Sequence, residues 1–119
     1  MRDHRKLDVF TLADRLTLKV YEATRGFPIE ERFGLTSQIR RAAVSIGANI
    51  VEGAARGSDR DFARMLAISY SSACELEYEL SLAARLGYVS GDTRDELEKL
   101  SSRTCRALRG LITRIRSNR

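Results

Sequence analysis

The chain has no tryptophan, one proline, one histidine, two cysteines and no long apolar run. Each scarcity excludes something. No stretch approaches the roughly 18 consecutive apolar residues of a membrane-spanning helix, so no span is expected. The opening MRDHRKLDVF is charged and lacks an apolar core, so it does not read as a signal peptide, and a cytoplasmic location is expected. Cys74 and Cys105 stand far apart, outside any CxxC pattern, and read as buried or idle thiols rather than a disulfide. His4 has no second histidine to join it, which leaves a histidine-based catalytic pair or zinc site incomplete. No metal, cofactor or small-molecule substrate is expected.

What is present favours helices. With 31% charged residues, 7% aromatics and a single proline, the composition fits an all-α protein better than a β one. At 119 residues the chain reads as one domain, 1–119. Its net charge of +5 is uneven. Residues 1–57 sum to +3 and residues 58–98 to −5, whereas residues 99–119 carry Lys99 and six arginines with no acid. A C-terminal end that basic suggests a polyanionic partner, or an acidic face on another protein.

Three punctuation points, RGFP at 25–28, RGSD at 56–59 and LGYVSGDT at 86–93, combine a glycine past a helix end with a residue that caps the next helix. They predict helices at about 8–25, 35–56, 59–86 and 92–116. The connections are short, which makes neighbouring helices antiparallel and gives an up-down four-helix bundle. A turn of about 100° per residue places Val9, Leu12, Ala13, Leu16, Val20 and Ala23 on one face of the first helix. The third helix gathers Phe62, Met65, Leu66, Ser69, Ala73, Leu76, Leu80, Ala83 and Ala84. The fourth gathers Leu97, Leu100, Thr104, Leu108, Leu111 and Ile115, with Arg103, Arg106, Arg109, Arg114 and Arg116 on its opposite side.

The second helix departs from the two-faced pattern. Leu35, Ile39, Ala42, Ile46, Ile50 and Gly53 form its inner stripe, and Gln38, Arg41, Ser45, Asn49, Glu52 and Arg56 form a polar stripe beside it. Its third side is small or apolar, with Val44, Gly47, Ala48, Val51, Ala54 and Ala55 around Arg40. A helix apolar on two sides is buried on two sides. Val44, Ala48, Val51 and Ala55 are therefore expected to meet another subunit in a homo-oligomer. Close backbone approach there would offset the propensity cost of Gly47 and Gly53, about 1 kcal/mol each.

The polar stripe raises a second question. Arg41, Asn49, Glu52 and Arg56 read as a satisfied internal network, with Arg41 or Asn49 meeting Glu77 of the third helix. Glu77 is placed at the core edge near Tyr70, whereas Glu75 and Glu79 share an outer face. GANIVEG is no phosphate loop, because its glycines lack a following GK[ST] and a preceding strand.

The stretches LDVFTLADRLTLKVYEATRGFP, FGLTSQIRRAAVSIGANIVEGAARGS and ELEYELSLAARLGY resemble the bacterial 23S rRNA intervening-sequence proteins. The resemblance covers about residues 7–115. Its most specific parts are GLTSQIRRAAVSI and the pattern formed by Asn49, Ile50, Glu52, Gly53 and Arg56. It implies an antiparallel four-helix bundle, a ring-shaped homopentamer and no assigned enzymatic activity. The family name records open reading frames found within intervening sequences of 23S rRNA genes. The accessory proteins of diversity-generating retroelements resemble it more distantly. They are basic, bind nucleic acid and engage a reverse transcriptase, which makes nucleic-acid binding an implied property. Two positions depart from the family pattern: Gly47 stands where many relatives have proline, and Phe10 where they have tryptophan.

The expectation is a non-enzymatic, oligomeric helical protein whose Arg103, Arg106, Arg109, Arg114, Arg116 and Arg40 contact RNA or DNA phosphates. A protein-binding scaffold that uses the same arginines on acidic surfaces is the alternative. An enzyme built on Asn49, Glu52 and Glu77 is the least favoured reading.

Overall fold

The computed structural model describes residues 1–118; Arg119, the last of the six C-terminal arginines, lies outside the described residues. Four helices, α1 (Asp8–Thr24), α2 (Leu35–Ala54), α3 (Asp59–Arg85) and α4 (Gly91–Ser117), account for most of them, with no strand among the described residues. The observed boundaries fall within two residues of those read from the punctuation. Two short 3-10 turns, His4–Lys6 and Ile29–Glu31, were not foreseen. No helix among the described residues is long and apolar enough to cross a membrane.

Local chemistry explains the helix ends. Ser58 caps α3 by accepting from the Asp61 amide at 3.1 Å, and Asp59 and Asp61 complement the positive end of its dipole. At the other end, Gly87 adopts φ +81°, and the Gly87 and Tyr88 amides donate back to Ala84 and Ala83 at 3.0 and 2.9 Å. That is a Schellman stop, and it requires a residue that tolerates the left-handed region. The start of α2 is served from outside the helix, where Glu31 Oε1 accepts from the Leu35 amide at 3.2 Å.

The four helices surround one core. Backbones approach closely between α1 and α2, α2 and α3, α3 and α4, and α4 and α1, but not across the diagonals α1–α3 or α2–α4. Leu16, Ile39, Ile46, Ile50, Phe62, Leu66, Leu76, Leu97 and Leu108 are fully buried where the inward stripes meet. Each such side chain contributes roughly 1.5–3 kcal/mol. Ile112, next to the expected Leu111, completes the α4 stripe.

Each end of the bundle is tied. At one end Phe27 packs against Tyr88 with ring centres 5.5 Å apart, and Tyr88 donates its hydroxyl to Glu31 Oε2 at 2.9 Å. At the other, the Arg2 amide donates to Ala54 O at 2.7 Å, and its guanidinium pairs with Asp59 and lies 4.3 Å over the Phe62 ring.

Candidate functional site

Three features merit a functional reading: the seam between α2 and α3, the buried acid near that seam, and the arginine face of α4.

The seam begins with the polar stripe of α2. Asn49 Nδ2 donates to Ser45 O at 2.8 Å and to Ser45 Oγ at 3.0 Å, and Ser45 Oγ is 2.9 Å from Ser72 Oγ on α3. One turn further in, buried Ser69 donates to the Ile46 carbonyl at 2.8 Å. The partners from α3 are thus small hydroxyls. Arg41 and Glu77 are both exposed, and no hydrogen bond or ion pair joins either of them to another described residue. Glu52 and Arg56 pair with each other one turn apart at 3.0 Å, on the surface. The structure brings Ser45, Asn49 and Ser72 together and leaves Arg41, Glu52 and Glu77 outside that cluster. Neither hydroxyl has a histidine or carboxylate in hydrogen-bonding reach, so no base activates it as a nucleophile.

The acids of α3 reverse the expectation. Glu79, placed on an outer face in the reading above, is buried at 5% exposure, whereas Glu77 is exposed. Position 79 follows Leu76 by three residues and precedes Ala83 by four, which puts it in the inward stripe. Glu79 Oε1 has no hydrogen-bond partner among the described residues. Burial, and after it the like charge of Glu75, pushes its pKa up to about 7. Glu79 therefore holds a proton well above the ordinary carboxylate range.

Both cysteines are free thiols, as expected, with Cys74 exposed and Cys105 half-buried. Burial, then the Glu77 carboxylate and the Cys74 thiol, pushes Cys105 up to about 11, which keeps it a thiol at neutral pH. His4 packs edge-on against Phe10 at 4.8 Å. No group of three potential metal ligands occurs among the described residues.

On α4, Arg103, Arg106, Arg109, Arg114 and Arg116 are all exposed, and none forms an ion pair among the described residues. Arg106 donates to Ser102 at 2.8 Å, one turn back. Arg40 is not part of this surface. It is half-buried on α2, donates to Thr24 at 2.8 Å and lies 4.7 Å over the Tyr21 ring, and α2 does not touch α4. On the outer side of α2, Val44 is 46% exposed, Ala48 and Ala55 are exposed and Val51 is half-buried.

A model of the family described as 23S rRNA-intervening sequence protein matches residues 5–110. A crystal structure from Bacteroides thetaiotaomicron VPI-5482, described as a protein of unknown function from the S23 ribosomal protein family, superimposes with a TM-score of 0.80. It is 27% identical, and the alignment covers 88% of this chain and 95% of that one. No curated protein matches this chain.

Proposed function

The chain belongs to the 23S rRNA-intervening sequence protein family, and on that footing we propose that it is a non-enzymatic, cytoplasmic, oligomeric bundle that binds the phosphate backbone of RNA or DNA through α4. The observation that carries this reading is the set of five exposed α4 arginines without acidic partners. A guanidinium fork matches phosphate geometry, and one without an ion pair has no acidic partner to give up on binding.

Neutralising about five phosphates of a DNA duplex makes log K fall with log salt at a slope of about −4.5. A salt titration with a mixed-sequence duplex and a structured RNA checks this. Absence of binding even at low salt would sink the reading and favour a scaffold whose arginines meet acidic protein surfaces.

We propose further that the helices run up and down in an antiparallel bundle. The support is that the α1–α2 connection meets the α3–α4 connection through Phe27 and Tyr88, while Arg2 meets Ala54 and Asp59. The outer side of α2, with Val44, Ala48, Val51 and Ala55, is the proposed subunit contact, and the family resemblance suggests a ring of five. Ala48→Glu places a charge on that side without touching the core, so light scattering should report monomers with unchanged helix content. A fully assembled variant would mean that the subunits meet through another face.

A further inference from the structure

The proposed arginine surface covers only the exposed side of α4, and it leaves open where a strand would lie. Between α1 and α4 runs a groove of about 540 Å³. Its walls carry Arg15 and Lys19 from α1 and Lys99 and Arg103 from α4, against the acids Glu22 and Glu96. Lys19 is held by an ion pair with Glu96. Arg15, Lys99 and Arg103 are exposed and make no ion pair among the described residues. Three unengaged cations thus converge from two helices on one concavity, with buried Leu100 between them in the lining.

Beside it lies a depression walled by α4 alone. It has a volume of about 460 Å³, shares Lys99 and Arg103, and adds Ser102 and Arg106. Its acids are Asp95 and Glu98, and Glu98 is already paired with Arg94 at 2.9 Å. From Lys99 to Arg106 the helix rises about 10 Å. That length matches about three nucleotides of one strand at 3.4 Å each.

We propose that this α1–α4 groove is the seat of a nucleic-acid strand, with Arg15 facing Lys99 and Arg103 across its phosphodiester backbone and Arg106 meeting the strand where it continues along α4. The proposal rests on the nucleic-acid reading above and narrows it to one site. A concave site that draws cations from two helices contacts a strand from both sides, whereas a convex helix face contacts it from one. Arg15 and Lys99 thereby become binding residues, and Arg114 and Arg116, two turns or more beyond Arg106, become peripheral.

The test compares two full-length variants with equal loss of charge, Arg15→Gln/Lys99→Gln and Arg114→Gln/Arg116→Gln. Each is measured by fluorescence anisotropy on a labelled mixed-sequence RNA over a range of salt, with helix content checked by circular dichroism. The groove pair should weaken binding at least tenfold more than the distal pair, and should make the salt slope shallower by about two. Inorganic phosphate added at constant ionic strength should not displace the RNA, because a single phosphate fills only one of the contacts. Displacement at millimolar phosphate would make this an isolated phosphate site and overturn the strand proposal. Equal losses in the two variants would overturn the groove, since binding would then follow net charge alone. A loss confined to the distal pair would also overturn it while leaving the α4 arginine reading intact. If the wild-type protein fails to bind RNA at low salt, the underlying reading falls together with the groove.

Discussion

Gly53→Val is expected to destabilise the bundle by about 3 kcal/mol, visible as a fall in melting temperature of roughly 10 °C. The cause is steric. A Cβ at position 53 would stand 2.9 Å from the Met65 Cβ and 3.1 Å from Phe62 Cδ1. The Met65 Cβ is fixed to the α3 backbone, so relief requires the two helices to separate. Separation would disturb Phe62, which is fully buried and carries the Arg2 guanidinium on its ring. Gly47, six residues earlier on the same helix, is the control. Within the subunit a Cβ there meets nothing within 4 Å, so Gly47→Ala should raise the stability of the bundle by about 0.5–1 kcal/mol through helix propensity. Thermal unfolding of both variants decides the matter. A Gly53→Val protein that melts like the wild type would show that α2 and α3 are not in close contact at this point.

Glu79→Gln should stabilise the protein at pH 8 by about 2 kcal/mol and have little effect at pH 4.5. Folded Glu79 keeps its proton up to about pH 7, whereas an exposed glutamate loses it near 4.5. The folded state therefore binds the extra proton between those values. Its contribution is fully present below pH 4.5 and is lost as pH rises through 7, a difference of up to about 3 kcal/mol. Glutamine cannot ionise, so the variant avoids that loss, although one atom of its buried amide still lacks a partner and gives part of the gain back. Denaturant unfolding at several pH values measures the gap between the two proteins. A gap that stays constant from pH 4.5 to pH 8 would refute the assignment of a buried, protonated Glu79.

Much of the architecture was legible because glycine, proline and capping residues interrupt the helical pattern at only three places. The inward stripe of α2 is buried residue for residue, from Leu35 through Ile50 to Gly53. The site was harder to read, for specific reasons. The four-residue spacing of Glu75 and Glu79 puts both on one face, yet the spacing of Glu79 from Leu76 and Ala83 puts it in the core stripe. Gly47 and Gly53 look alike in sequence, and only the crossing of α2 over α3 makes one crowded and the other open. Arg40 was grouped with the α4 arginines by charge, but its partners Tyr21 and Thr24 belong to α1. Arg15 and Lys99 are not linked by any sequence pattern, because only the pairing of the first helix with the last brings them together. Ser69 sits within the apolar stripe of α3, and a hydroxyl in such a face is the signal of a cross-helix hydrogen bond.

Because α2 and α4 are diagonal members of the bundle, the proposed contact patch on the outer side of α2 is separate from the α1–α4 groove of the same subunit. Copies joined in that way would present several grooves on one particle. Once a strand occupies one groove, the next groove meets it at a raised effective concentration, so individually weak contacts add up to avid binding. Breaking the assembly would then reduce the affinity for long nucleic acids far more than for oligonucleotides short enough to fill a single groove.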